Sequence, residues 1–203
     1  MGPTRIHDPV ADNLKRAEEN GTPVFLSNAT TSEPEHEDVS IKHHQALTAR
    51  IRRFTVADAA PTHAVFYAAV RIGAAGHYSP SELQDWAPTT EMPGDWGQWL
   101  AENITFVAAP GDRVTGFMML EPSGYLNMAF VLPEFRGTGL ADALYAAVLT
   151  EARACAMPRL SVLASRMAAR FFARHGWQPA PELAASLGAI PQNTPMKLDP
   201  VPA

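Results

Sequence analysis

A glycine-containing turn at residues 131–141 constrains this chain more than any other stretch, because it separates a strand pattern from a helix pattern. The apolar run before it, residues 125–132, is short and bounded by turn residues, which is typical of a buried strand. After the turn, apolar residues recur at intervals of four and predict one buried helix face: Leu140, Leu144, Val148 and Ala152. The sequence therefore predicts a strand, a tight turn and a helix in direct succession.

The turn itself is suited to holding an anion. Its residues Arg136, Gly137, Thr138 and Gly139 lead directly into the predicted helix. The first N–H groups of a helix have no partner within it, and the helix dipole adds partial positive charge there. Glycines let an anion approach such a backbone closely. The turn therefore has the outline of a phosphate cradle.

Two common phosphate motifs do not fit this turn. A P-loop needs a lysine after its last glycine, and none follows here. A dinucleotide fingerprint needs a third glycine where this chain has Asp142, whose charge would face the pyrophosphate. The spacing that is present is Arg136-x-x-Gly139-x-Ala141. For the loop taken alone, a strand–turn–helix corner with ordinary turn glycines remains the alternative.

That spacing resembles the (Gln/Arg)-x-x-Gly-x-(Gly/Ala) pyrophosphate loop of the GNAT N-acetyltransferase superfamily. Residues 168–177 (AARFFARHGW) are similar to the superfamily's A-x-x-F-(Y/F)-x-x-x-G-(F/W) segment. Residues 77–88 and 193–198 resemble a little-characterised bacterial branch of it. The resemblance implies an α+β GNAT fold, with a mixed, mostly antiparallel central sheet that is flanked by helices and splayed between its fourth and fifth strands.

Three further local patterns predict how this domain is built. Ser79, Pro80 and Glu82 form a capping signature for a short helix. An earlier helix is expected to bury one face: Ala64, Val65, Ala68, Ala69 and Ile72. At the end of the chain, residues 183–190 and 193–198 are expected to close the fold as a β-hairpin.

The 203 residues predict one domain at residues 50–200 and an N-terminal extension at residues 1–49. The extension begins with a short helix pattern, and its residues 28–44 are too polar to order themselves by apolar burial. His36, His43 and His44 lie there among acidic residues, but their spacing matches no defined metal-ligand pattern. A solvated linker is the favoured interpretation, and no metal is predicted.

Composition excludes several classes of partner. A net charge of −5 gives no basic surface for nucleic acid or for an anionic membrane. No apolar run has membrane-spanning length and no signal-peptide core is present, so a cytoplasmic protein is expected. Cys155 is the single cysteine, which excludes a disulfide framework, and we interpret it as a small buried residue on the apolar side of the long helix.

The resemblance also implies how acetyl-CoA, the expected co-substrate, is bound. Its pantetheine arm would pair with the fourth-strand backbone at Phe130, Val131 and Leu132, where an N–H would also hold the thioester oxygen. Ser165 and Phe172 would line the opposite side. The pyrophosphate would lie on the turn: Arg136, Gly137, Thr138, Gly139, Leu140 and Ala141.

Four residues are candidates for moving protons: Glu121, Tyr125, His77 and Tyr78. A Lys-like amine has a pKa of about 10.4 and must lose a proton before it attacks a thioester. Glu121 and Tyr125 flank a predicted turn and can act together, although Glu121 can equally be a solvated strand end. His77 and Tyr78 precede the helix where GNAT enzymes build the acceptor site, although a turn histidine and a packing tyrosine are as compatible with the pattern.

The sequence therefore predicts an N-acetyltransferase that moves an acetyl group to an amine of a small molecule or of a protein N-terminus. The chain departs from the family where Asn127 replaces a frequent fourth-strand acid and Phe172 replaces a frequent tyrosine. These departures favour the competing class, a non-catalytic acyl-CoA-binding or regulatory domain. Both a monomer and a homodimer agree with the sequence.

A chain that begins at Thr48 should keep a cooperative thermal transition, because the polar part of the extension supplies little apolar burial. Thermal unfolding followed by circular dichroism measures this. Loss of the transition on truncation would show instead that residues 24–26 complete the core or a dimer interface.

Overall fold

The computed structural model describes residues 49–188 and 192–202. The helix, polar linker and histidine-rich cluster expected in the first 48 residues lie outside this part of the chain. Among the described residues no helix is long and apolar enough to cross a membrane. No group of three or more His, Cys, Asp or Glu side chains there is placed to hold a metal ion.

The strands form two antiparallel sheets. The first sheet has the order β1–β2–β3–β4, and the second has the order β5–β7–β6. Strand bounds in the first sheet are Arg50–Arg53 (β1), Ile104–Ala109 (β2), Gly116–Leu120 (β3) and Leu126–Val131 (β4). Those in the second are Leu160–Ala164 (β5), Gln178–Pro179 (β6) and Thr194–Leu198 (β7).

The helices of the described residues are Ala59–Arg71 (α1), Pro80–Trp86 (α2), Trp96–Glu102 (α3), Leu140–Ala154 (α4), Ala168–Arg174 (α5) and Ala184–Leu187 (α6). Helices α1, α3 and α4 pack on the first sheet, and α5 packs on the second. Short 3₁₀ turns occupy Val56–Asp58, Pro133–Phe135 and Pro181–Leu183. The predicted capping box of α2 is confirmed, since Ser79 accepts a hydrogen bond from the Glu82 N–H and Glu82 accepts one from the Ser79 N–H.

The two sheets touch at one end and separate at the other. Tyr125 and Ser161 form a parallel bridge, and the Ser161 N–H donates to the Gly124 carbonyl at 2.9 Å. Within the described residues this is the only ladder pairing between the two sheets, and β4 and β5 then diverge towards their carboxyl ends. The predicted splay between the fourth and fifth strands is confirmed.

The core lies between the first sheet and its flanking helices. On one side, Phe66 of α1 packs edge-on against Phe130 of β4 at 5.2 Å, and Trp96 of α3 packs against Phe117 of β3 at 6.2 Å. On the other side, α4 buries the face that the spacing predicted, with all four residues at most 1% exposed: Leu140, Leu144, Val148 and Ala152.

Three sequence-based expectations about packing were wrong. The buried face of α1 includes Thr62 and His63, whereas Ile72 is 70% exposed. Cys155 is exposed and is the C-cap residue after the last residue of α4, Ala154, so it is not part of the buried helix face. Residues 184–187 form the short helix α6 instead of one arm of a hairpin, since alanine favours helix.

β7 consequently pairs with β5 and β6 instead of with the segment just before it. This arrangement places β5 between β7 and the gap that faces β4. The position of β5 matters because the residue that follows it, Ser165, lines the cavity described below.

An ion pair fixes the start of the domain. The two terminal nitrogens of the Arg52 guanidinium donate to the two carboxylate oxygens of Asp58 at 2.7 and 2.8 Å. The Thr55 N–H and hydroxyl donate to the same carboxylate at 2.8 and 2.9 Å. The Arg52 hydrogen bonds, against the opposing effect of burial, lower the pKa of Asp58 from 3.8 to about 2.

Asp58→Asn should destabilise the fold by about 2 kcal/mol near neutral pH, because the lowered pKa of Asp58 stabilises the folded state by roughly that amount. The stabilisation is present above the unfolded pKa of 3.8 and is lost as pH falls towards about 2. Urea titrations at several pH values should therefore show that the free energy of unfolding falls less steeply with decreasing pH in the variant than in the wild type. Glu91→Gln, at an exposed loop carboxylate, is the control.

Candidate active site

A cavity of about 370 Å³ lies at the open end of the gap between β4 and β5, between the end of β4 and Ser165, which directly follows β5. One wall is the end of β4 together with Trp86 of α2, and the opposite wall is Ser165 and the first turns of α5. Its far end is the glycine turn before α4. Of the residues predicted to bind the co-substrate, eight line this cavity: Phe130, Val131, Arg136, Gly137, Gly139, Ala141, Ser165 and Phe172.

The β4 wall offers unpaired backbone to the cavity. The Leu132 N–H donates to the Thr115 carbonyl at 2.9 Å, so it points towards the preceding sheet. Successive residues of a strand direct their N–H groups to opposite sides. The N–H groups of Val131 and Ala129 therefore face the gap, while Phe130 contributes its side chain to the cavity wall. Leu132 is buried and does not belong to the cavity lining.

Glycine is required in the turn for its conformation. Gly137 has φ +73° and Gly139, the N-cap of α4, has φ +88°. Side chains rarely tolerate these values. A Cβ built at either position meets no atom within 4 Å, so open space lies directly beside this backbone. Thr138 stabilises the turn by donating to the Phe135 carbonyl at 2.6 Å, and Leu140 anchors it in the core.

Arg136 connects this turn to helix α1. Its guanidinium donates to the carbonyls of Ala69, at 3.3 Å, and Gly73. These carbonyls lie at the C-terminal end of α1, where the helix dipole is negative and a cation is favoured. Partial burial lowers the pKa of Arg136. Part of its donor capacity is thus already used to hold the turn in place.

The negative charge of Asp142 beside the turn is compensated. Its carboxylate accepts a hydrogen bond from Arg174 at 3.0 Å and lies 2.9 Å from His175 Nε2. Partial burial would raise the pKa of Asp142, but these hydrogen bonds outweigh it and the pKa is lowered. Asp142 therefore stays ionised and paired.

The wall opposite β4 is largely apolar. Phe172 is 1% exposed and packs against Phe171 at 5.3 Å and Trp177 at 4.9 Å. The hydroxyl of Ser165 accepts a hydrogen bond from the Ala168 N–H at 3.2 Å and so caps the start of α5. The Phe172 side chain has no proton to donate, so it can contribute only apolar contact to the cavity.

Glu121 and Tyr125 lie where the two sheets meet, outside the cavity lining. The Glu121 N–H donates to the Tyr125 carbonyl at 2.9 Å. The Glu121 carboxylate accepts hydrogen bonds from Asn127 at 2.8 Å and from Ser123 at 3.2 Å. Asn127 is the extra residue of a β-bulge in β4, since Met119 pairs with Met128 and Leu120 pairs with Leu126.

His77 and Tyr78 lie on the loop before α2. His77 is exposed, whereas Tyr78 is 8% exposed and packs against Trp86 at 5.6 Å. The Tyr78 hydroxyl accepts a hydrogen bond from the Arg166 N–H at 2.9 Å. Neither residue lines the cavity, but Tyr78 is one contact away from Trp86, which does.

Comparison with known proteins agrees with this geometry. A family model described as an acetyltransferase (GNAT) domain matches residues 74–198. An uncharacterized N-acetyltransferase of Escherichia coli K12, YafP, is 33% identical over 129 residues, which are 64% of this chain and 81% of that protein. The chain belongs to the GNAT acetyltransferase family. It is therefore an acyltransferase, as predicted.

Solved structures show the same fold. A GCN5-related N-acetyltransferase of Rhodopseudomonas palustris matches with a TM-score of 0.64 and 26% identity, over 75% of this chain and 96% of that one. The PaiA N-acetyltransferase of Thermoplasma acidophilum, solved with coenzyme A, matches with a TM-score of 0.62 and 13% identity, over 74% of this chain and 98% of that one. Salmonella typhimurium yncA, solved with acetyl-CoA, matches with a TM-score of 0.52 and 18% identity, over 74% of this chain and 93% of that one.

Sequence reasoning missed several residues of this GNAT site. The backbone carbonyls of Ala69 and Gly73 that hold Arg136 leave no sequence signal, since any residue carries a carbonyl. Trp86 was expected only as an apolar contact of α2, and its place on the cavity wall depends on tertiary packing. Further unpredicted lining residues come from β3, β4 and α5: Met118, Ala129, Phe171 and Arg174.

Gly73→Ala should destabilise the fold by about 1–3 kcal/mol, because a Cβ there would collide with the Arg136 guanidinium and lie 2.6 Å from the Ala69 carbonyl. Hydrogen exchange at residues 136–141 should rise as the turn loses its anchor. Gly76→Ala, where a Cβ meets nothing within 4 Å, is the matched control. Equal unfolding free energies for the two variants would contradict this role of Arg136.

Proposed function

We propose that this protein transfers an acetyl group from acetyl-CoA to an amine of a small molecule or of a protein N-terminus. The amine attacks the thioester directly, so that a C–N bond forms, the C–S bond breaks and the thiolate leaves. One observation carries the proposal: the gap between β4 and β5 holds a cavity that ends on the glycine turn at the start of α4.

The cavity offers matching groups along its length. Ala129 and Val131 would pair with the amides of the pantetheine arm, since their N–H groups face the gap. The N–H groups at the start of α4 would hold the pyrophosphate between Gly137 and Ala141. Ser165 and Phe172 would enclose the arm from the β5 side. The GNAT structures of PaiA and yncA, which hold coenzyme A and acetyl-CoA, support this assignment.

The amine must lose its proton before or during the attack. Glu121 is the carboxylate best placed to take it, because it lies at the closed end of the gap and is oriented by Asn127 from the β4 bulge. The position of Glu121 outside the cavity lining requires the proton to travel through water. Tyr125, whose backbone carbonyl accepts a hydrogen bond from the Glu121 N–H, is a second candidate for the proton acceptor. His77, on the loop before α2, is a third.

The competing function is an acyl-CoA-binding domain without turnover. Phe172 favours it, since this position carries no hydroxyl that could protonate the leaving thiolate. A thiol has a pKa of about 8.5, however, and leaves without such help at a useful rate. An acceptor screen that follows release of free thiol from acetyl-CoA separates the two functions, because only the enzyme releases thiol in step with acetylated product.

Gly139→Asp should abolish binding of acetyl-CoA measured by calorimetry, because the side chain places bulk and negative charge where the pyrophosphate would lie. Gly111→Asp is the matched control, since Gly111 also has a positive φ, +63°, with no atom within 4 Å of a Cβ, but lies outside the cavity lining. Arg136→Ala should weaken binding less, by about 1–3 kcal/mol. Unchanged affinity in Gly139→Asp would refute the assignment.

Glu121→Gln should lower kcat by about 10²-fold or more, alter the pH–rate profile and leave acetyl-CoA affinity intact, as expected for a general base. Tyr125→Phe should lower kcat less than Glu121→Gln does if Tyr125 only positions water. His77→Ala tests the rival base. If all three variants keep the wild-type pH–rate profile, the proton is lost to solvent or to the substrate itself and this catalytic assignment is wrong.

A further inference from the structure

A continuous set of contacts crosses the open end of the gap between the two sheets. We call residues 77–86, the loop before α2 and α2 itself, the strap. On the β4 side, Trp86 of the strap packs against Phe130 with ring centroids 6.2 Å apart. Within the strap, Trp86 and Tyr78 pack edge to face at 5.6 Å.

On the β5 side, the strap is held by Arg166, which follows directly after the cavity residue Ser165. The Arg166 N–H donates to the Tyr78 hydroxyl at 2.9 Å, and its guanidinium donates to the His77 carbonyl at 2.7 Å. The guanidinium also lies over the Tyr78 ring, 4.9 Å from its centroid. The guanidinium also lies 3.9 Å from the Glu82 carboxylate of α2. Four separate contacts thus hold the end of β5 to the strap.

The gap needs such a restraint because both strands expose unpaired backbone to it. Val131 and Ala129 direct N–H groups into the gap from β4. The Ser161 N–H donates to the Gly124 carbonyl, on the β4 side of β5. Residues two apart in a strand direct their N–H groups to the same side, so the Leu163 N–H also faces β4. Two unpaired strand edges this close tend to pair with each other. Continued pairing beyond the Tyr125–Ser161 bridge would close the cavity.

We propose that Tyr78 is a positioning residue that holds the gap open at the width the acetyl donor requires, and not a proton carrier. The strap lies between Phe130 of β4 and Arg166, which follows β5, and so sets the distance between the two strands. It is fixed to Arg166 by the hydrogen bond to the Tyr78 hydroxyl. This inference rests on the proposed binding of acetyl-CoA between β4 and β5. It gives Tyr78 a structural role, in contrast to the proton-transfer role predicted for Glu121, Tyr125 and His77.

Two variants remove different parts of the connection. Tyr78→Phe keeps the ring contacts with Trp86 and Arg166 but leaves the Arg166 N–H without its acceptor. Arg166→Ala keeps that N–H but removes the guanidinium from the His77 carbonyl and from the ring. Both should raise the acetyl-CoA Kd measured by calorimetry, roughly tenfold for Tyr78→Phe. In each, kcat at saturating donor should stay within about twofold and the pH–rate profile should not change.

The chain offers a control for each variant. Tyr67 of α1 lies outside the cavity lining and is the control for the loss of a tyrosine hydroxyl. Arg53 of β1 lies over the ring of Phe106, 5.2 Å from its centroid, and is the control for the loss of a guanidinium, since neither residue lines the cavity. Tyr67→Phe and Arg53→Ala should leave the donor Kd unchanged. Urea titration of all four variants shows whether a change in Kd merely follows a loss of global stability.

Each outcome decides the question. A large fall in kcat with an altered pH–rate profile and intact donor affinity in Tyr78→Phe would make Tyr78 a proton carrier and overturn the inference. Unchanged Kd in both strap variants, or equal changes in the two control variants, would overturn it as well. If the wild-type protein binds no acetyl-CoA, the proposed function fails first, and this inference fails with it.

Discussion

The interruption of hydrogen bonding between β4 and β5 is the feature on which the rest of this structure depends. Among residues 49–188 and 192–202, a single bridge at Tyr125 and Ser161 joins the sheets, and beyond it each strand presents backbone groups that no described strand satisfies. Unpaired backbone in a protein interior is costly unless water or a ligand pairs with it. The gap is therefore stable only where water or a ligand pairs with that backbone, and the proposed strap would keep the two edges from pairing with each other.

Helix termini organise the end of the cavity at the glycine turn. The N-terminus of α4 directs partial positive charge at the turn, and the C-terminus of α1 holds Arg136 through the carbonyls of Ala69 and Gly73. Asp142, in the first turn of α4, would repel an anion if it were unpaired, but Arg174 and His175 compensate its charge. The favourable backbone potential at the turn is thus preserved although the side chain nearest to it carries a negative charge.

Features set by local patterns were predictable, and features set by tertiary contacts were not. The buried face of α4, the capping box at Ser79 and the glycine turn follow from short-range spacing. The buried face of α1 does not, because Thr62 is satisfied by the carbonyls of Asp58 and Ala59 and by the Trp96 indole N–H, which spacing cannot reveal. The contact between Tyr78 and Arg166 spans 88 positions of sequence, so its role could be inferred only from coordinates.

The distribution of polarity along the cavity bears on how an enzyme with Phe172 in place of a tyrosine can turn over. Charged groups line the end at the turn, whereas much of the remaining lining is apolar and includes Met118, Ala129, Phe130 and Phe172. An apolar environment lowers the pKa of an amine and raises that of a thiol. If the acetyl donor binds as proposed, the same walls favour release of the amine proton and its uptake by the departing sulfur. The desolvated cavity would thus perform part of the proton transfer for which a dedicated acid is otherwise needed, and Glu121 would have only to accept the proton that the amine can no longer hold.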